Sequence, residues 1–178
     1  MPVLDLLETP PGPPRRWTFA DDGATPNNRL PVLLYHLDWS AQVDVAEALE
    51  RLFAAHRWPA QWRDGIFPYQ HFHPDAHEVL GVVAGTAQVL LGGEQGEALT
   101  LVRGDVVVLP AGTGHRCLGS SADFLVVGGY PRGQEHYSIQ RPEQGRHAEA
   151  VASVAKVARP THDPVSGTQG ELLRAWAG

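Results

Sequence analysis

The sequence predicts an all-β protein: a sandwich or barrel of short strands, preceded by one amphipathic helix and followed by a weakly patterned tail. Three observations carry that prediction. Between Gly65 and Tyr130, short runs rich in Val and Leu alternate with Gly-rich breaks at Gly92-Gly93-Glu94-Gln95-Gly96, Gly104-Asp105 and Pro110-Ala111-Gly112, as in strands joined by tight turns. Upstream, apolar residues recur at helical intervals from Val45 to His56. Finally, 178 residues with 43% hydrophobic and 19% charged side chains suffice for one well-buried core and fall short of two ordinary domains.

Taken in order, residues 1–20 hold Thr9-Pro10-Pro11-Gly12-Pro13-Pro14. Prolines at this density lack amide donors and favour extended chain, so this stretch is expected to be a flexible arm. Residues 21–178 are expected to form one domain. Asp21-Asp22-Gly23 and Pro26-Asn27-Asn28 are turn chemistry, and the apolar run Leu30 to Leu37 follows as a strand. Asp44 with Glu47 three residues on is a capping-box start. Val45, Ala48, Leu49, Leu52 and Phe53 then mark one face of a helix ending near Trp58-Pro59. The strand-rich stretch predicts strands at Phe67–His73, Glu78–Ala84, Thr86–Leu91, Ala98–Val102, Val106–Leu109, His115–Leu118 and Phe124–Gly129. Beyond, in the extension 131–178, Glu143–Ala155 reads as a helix, and Leu172-Leu173 with Trp176 as a tail docked on the strands.

A formal charge of −6 and the lack of any basic run argue against nucleic acid or an acidic membrane as partner. No apolar run reaches membrane length, and the N-terminus lacks the charged start and apolar core of a signal peptide. One cysteine, Cys117, excludes an intrachain disulfide. A cytoplasmic location is the expectation.

The chemistry lies in two clusters. The first runs Gly65, five residues, His71-x-His73, four residues, Glu78, six residues, Gly85; the second runs Gly104, five residues, Pro110-x-Gly112, two residues, His115. Three imidazoles and a carboxylate are a ligand set that holds a divalent transition metal and leaves positions open for chemistry. Residues two apart in a strand share a face, so His71 and His73 project together, with Phe67 and Tyr69 beside them if the strand is regular. Pro74-Asp75 breaks the strand and lets Glu78 turn back inward, with Leu80 and Val82 on its side. Cys117, two residues past His115, shares that face. His77 has the opposite parity to Glu78 and is read as facing outward or lying in the loop. Cys117 is read first as a small core residue and second as a redox-sensitive thiol. Tyr69 is divided between packing and a hydrogen bond to a ligand. Tyr130-Pro131-Arg132-Gly133 is read as an exposed turn, with a cationic pocket rim as the other reading. His36, His56, His136, His147 and His162 have no spacing partner and are read as surface or helix-face residues.

These stretches resemble the two motifs of the cupin superfamily. Gly65, His71, His73, Glu78 and Gly85 match every fixed position of the first; Gly104, Pro110, Gly112 and His115 match the second up to its last position, where an Asn is common and Gly119 stands here. The motif core spans 65–119, with barrel strands near 30–37 and 66–130. The resemblance implies a jelly-roll β-barrel, metal ligands at His71, His73, Glu78 and His115, and one Mn, Fe, Ni, Zn, Cu or Co ion, often in a homodimer. It is similar to small single-domain bacterial members of unassigned function. The expected activity is a metal-dependent reaction, dioxygenase- or isomerase-like, on a small oxygen-rich molecule such as an enediol, hydroxy acid, dicarboxylate or catechol. Glu78 is a possible proton acceptor in it. The alternative is a non-catalytic binding or sensing module whose metal clamps a ligand or braces the barrel.

Overall fold

In the computed structural model, which describes all 178 residues, nine strands form two antiparallel sheets. The strands are β1 (Arg15–Phe19), β2 (Asn28–His36), β3 (Ala60–Asp64), β4 (Glu78–Ala84), β5 (Thr86–Leu91), β6 (Glu97–Val102), β7 (Asp105–Leu109), β8 (His115–Ser120) and β9 (Leu125–Gly129). The larger sheet has the order β1-β2-β7-β4-β9-β3, the smaller β6-β5-β8. The two sheets face each other as a jelly-roll sandwich and do not close into one hydrogen-bonded barrel. The strands expected from Glu78 to Gly129 all form, within a residue or two of their expected ends.

The inner face of the large sheet supplies Val32, Leu34, Leu80, Val82, Val107, Leu109 and Val126, which pack on Ala87, Val89, Leu91, Leu99 and Leu101 of the small sheet. Its outer face, with Leu33, Tyr35, Val79, Val106, Val108 and Val127, is covered by helix α1 (Val45–Ala55) and the C-terminal residues Val165, Leu172 and Trp176. A sheet buried on both sides needs no polar alternation, which is why Val106-Val107-Val108-Leu109 is uninterrupted. Asp44 caps α1, accepting from Glu47 N at 3.1 Å. Leu49 rests on Gly81 of β4, where a methyl group would come within 2.7 Å of its Cδ1.

Four expectations change. Phe67–His73 is not a strand: only His71 and Phe72 pair, as isolated bridges to His115 and Gln140, and Pro68 bends the chain ahead of them. In residues 1–20, Val3 is buried and β1 pairs with β2, so the longest run outside helix, bridge and strand is Glu8–Pro14. The helix expected over Glu143–Ala155 is split by Gly145 (φ 72°) into a short turn, Pro142–Gln144, and α2 (His147–Val154). Edge strand β3, largely exposed, adds an element that apolar patterning does not predict. The tail does dock: Trp176 Nε1 donates to Pro31 O at 2.9 Å, just past the last helix, α3 (Glu171–Ala175).

Candidate metal centre

The three histidines are placed by backbone pairing. His71 and His115 exchange amide bonds, His71 N to His115 O at 3.2 Å and the reverse at 2.9 Å, while Phe72 pairs with Gln140 and Gly112 N donates to His73 O at 2.8 Å. Phe72 is therefore turned into the core and the histidines on either side of it into a cavity. Their coordinating nitrogens all lie within 4.8 Å of one another, and all three residues are buried.

What makes them a donor set is the other ring nitrogen. Nδ1 of His71 is 3.0 Å from Tyr69 O, Nδ1 of His73 is 2.7 Å from Ser138 O, and Nδ1 of His115 is 3.0 Å from Thr113 O. A carbonyl oxygen only accepts, so each Nδ1 carries the proton and each neutral ring leaves an Nε2 lone pair for the cavity. Asp75 steadies this: its carboxylate accepts from Ser138 N at 2.9 and 3.1 Å, fixing the carbonyl that holds His73.

Glu78, at the start of β4, is 2% exposed. Its Oε2 accepts from Tyr130 OH at 2.7 Å and lies 3.1 Å from His73 Nε2. Its Oε1 lies 3.2 Å from His115 Nε2 without hydrogen-bond geometry and has no other partner. Glu78 thus touches two of the histidines and stands beside the trio. Burial opposes its charge, but His73 and His115 hold its carboxyl well below the usual range, so it is ionised. The same contact raises His73 against the effect of burial, whereas burial and then His115 push His71 down to about 3. A carboxylate facing imidazole lone pairs needs a positive partner. A proton on His73 is one; a divalent cation among the same atoms is a stronger one, and three nitrogens with one free carboxylate oxygen fit it.

The cavity, about 170 Å³, is walled by Trp62, Ile66, Phe67, Leu80, Tyr137 and Ile139 around this polar floor. Tyr137 and Trp62 join the site unmarked by any sequence motif, and Tyr130, read as part of an exposed turn, is 1% exposed and lines the cavity. Burial, and after it the charge of Glu78, raises the Tyr130 phenol, which stays a proton donor. Its OH also accepts from Trp62 Nε1 at 2.9 Å. Gly128 makes that possible, because a Cβ there would sit 2.2 Å from the Trp62 ring. Tyr137 stacks on Tyr130 at 3.9 Å and meets His73 edge-on at 5.0 Å. In sequence, Tyr130 signals itself only as the next same-face position after Val126 and Gly128.

Other expected residues lie away from the cavity or only at its edge. Phe67 lines it while remaining 42% exposed. Tyr69 stacks on Phe67 at 4.9 Å beneath the Arg141 guanidinium at 4.2 Å, and does not line it. Cys117 packs against the inter-sheet core, half-buried. His77 lies in the loop but is not turned outward: it is 1% exposed, accepts from Ala111 N through Nδ1 at 2.8 Å and packs on Trp176. Burial pushes its pKa down to about 4.

Residues 63–137 match the family model described as Cupin. The chain is 39% identical over 159 residues to the uncharacterized protein YjlB of Bacillus subtilis, a match spanning 89% of this chain and 93% of that one. Among solved structures it is similar to an uncharacterized conserved protein with a double-stranded β-helix domain from Klebsiella pneumoniae. There the identity is 17% over 79% of this chain and 88% of the other, with a TM-score of 0.36. It is also similar to the cadmium-bound acireductone dioxygenase of Bacillus anthracis, at 17% identity over 50% of this chain and 60% of that one, TM-score 0.34.

Proposed function

The chain belongs to the cupin family, and from that premise we propose that it is a metal-dependent enzyme acting on a small, oxygen-bearing molecule in the cavity lined by both sheets. The observation that carries this is the convergence of three Nε2 lone pairs, each fixed by a backbone carbonyl on the opposite ring nitrogen. His71, His73 and His115 would hold the ion, with Oε1 of Glu78 available as fourth donor. When bound, the ion supplies Lewis acidity toward an oxygen of the substrate, or oxygen activation if it is Mn, Fe, Cu, Co or Ni.

The chain's own residues do the rest. Tyr130 holds Oε2 of Glu78, which leaves Oε1 as the atom that ligates or takes a proton. Trp62 in turn orients Tyr130. The aromatic and aliphatic wall keeps water from the floor. Asp64 and Glu78 are the only carboxylates on that wall, and no Lys or Arg lines it. A neutral diol, enediol or catechol therefore suits the cavity better than a dicarboxylate, whose carboxylate beyond the ion would face Asp64 and Glu78 with no Lys or Arg to balance it.

Metal analysis of protein purified without chelators or nickel resin tests the reading. About one transition-metal ion per chain is expected, lost in a His71→Ala, His73→Ala double variant that stays folded. Stoichiometric metal in that variant would sink the ligand assignment. Oxygen-uptake and product screens with small diols, hydroxy acids and catechols then separate catalysis from simple binding. Metal-loaded protein that turns over none of them while binding one would move it to the non-catalytic class.

A further inference from the structure

We propose that the cleft between Arg57, Arg132 and Arg159 is a second ligand site, one that binds a small oxyanion: the phosphate or carboxylate group of a metabolite. The cleft encloses about 200 Å³ and shares no lining residue with the metal cavity. Three segments far apart in sequence build it, and hydrogen bonds lock them together. Arg132 N donates to Arg57 O at 2.9 Å, Trp58 Nε1 to His162 O at 2.8 Å, and Gln134 Nε2 to Ala158 O at 2.9 Å. Each segment contributes one guanidinium.

Charge sets this cleft apart. The chain carries a net −6, and half of its other arginines are matched: Arg16 and Arg174 with Glu171, Arg63 with Glu50, Arg116 with Glu94, Arg141 with Glu143. Arg57, Arg132 and Arg159 form no ion pair, and no Asp or Glu lines the cleft. The neighbouring carboxylate, Glu135, accepts from Gly133 N at 2.7 Å and does not line the cleft. Three exposed, unmatched arginines rise from this hydrogen-bonded frame, and a guanidinium carries the donor fork that oxyanions take.

The backbone at Arg57 points the same way. It follows α1 with φ 62°, and Trp58 N closes the helix end on Phe53 O at 2.8 Å. That left-handed position ordinarily belongs to glycine, because a side chain there is strained. Strain of this kind persists where the side chain serves something else.

Calorimetric titration of the full chain with inorganic phosphate, a sugar phosphate and succinate, at constant ionic strength, tests the site. Saturable binding of at least one probe, one per chain, is expected, and the preferred probe tells a phosphate source from a carboxylate one. Arg132→Ala or Arg159→Ala should each weaken it about tenfold, the loss of one charge-assisted pair. Arg57→Gly should weaken binding while raising the unfolding temperature, since it relieves the backbone. A rise in stability with binding unchanged would show Arg57 to be a solvated end residue and overturn the proposal. Binding should also survive metal removal and His71→Ala; loss in either would put the anion at the metal centre instead. No saturable binding of the three probes, binding of an oligonucleotide in their place, or an equal response to chloride overturns it too.

Discussion

Two carboxylates are buried in this protein to nearly the same degree and are used oppositely. Asp163 is fully buried and Glu78 is 2% exposed. Around Asp163 both oxygens are occupied: Oδ1 accepts from Val165 N at 2.7 Å and Ser166 N at 3.1 Å, and Oδ2 from Leu172 N at 3.1 Å and from Tyr35 OH. Around Glu78 only Oε2 is hydrogen-bonded, and Oε1 confronts an imidazole nitrogen with no bond to it. Burial is common to both, so burial alone does not mark a reactive site. Incomplete satisfaction does: a carboxylate ringed by donors is a staple, whereas one facing lone pairs waits for a cation.

The largest expected effect lies at the staple. Asp163→Ala would strand three backbone N–H groups and the Tyr35 hydroxyl, which bind the C-terminal extension to β2. Breaking such a buried charged network costs about 3–5 kcal/mol, readable in urea unfolding. Metal bound per folded chain should not change. Loss of metal from folded Asp163→Ala protein would break the comparison, since the two carboxylates would then be coupled.

Glu78→Gln is the mirror experiment. It keeps the shape and the Tyr130 contact but removes the charge that opposes the cation. Stability should stay within about 1 kcal/mol of the parent or rise, as when a site selected for function is relieved. Metal affinity, measured by competition with a chromogenic chelator, should fall roughly 10–100-fold even if Glu78 acts only from beside the ion. If the Glu78→Gln protein unfolds as readily as the Asp163→Ala protein, Glu78 is a staple as well.

How far each carboxylate can be read from sequence follows from the same contrast. Glu78 announces itself by its distance from His71 and His73, because one loop sets all three positions. Asp163 gives no such signal: one partner, Tyr35, is 128 residues away, and only the docked tail brings them together. The strands from β4 to β9 are legible because turn residues bound each apolar run. Strands β1 and β3 are not, since edge strands exposed on one side carry few apolar residues. His71 and His73 share a side as parity requires, yet they are held by isolated bridges rather than a strand, so the parity of Tyr69 fails just ahead of them. Alternation sends His77 outward because a strand knows only two faces; the space beneath Trp176 is a third, made by the C-terminal tail. Tyr130 is hidden in the sequence because β9 lies next to β4 only in the folded order of the sheet.

The smallest of these effects is also the most discriminating. Tyr130→Phe removes one hydroxyl, which leaves Trp62 Nε1 without its acceptor and Oε2 of Glu78 with only His73 beside it. The stability cost should be about 1 kcal/mol, one buried hydrogen bond. If Glu78 is merely a counter-charge, metal affinity should move no more than stability does, since the charge remains. If Tyr130 positions the carboxylate, Glu78 can swing toward His73, and turnover on whichever diol or catechol the screen identifies should drop by a larger factor than metal affinity. Equal losses in stability, metal binding and turnover would mean that Tyr130 only fills space, and that its bond to Glu78 is as dispensable as the donor ring around Asp163 is not.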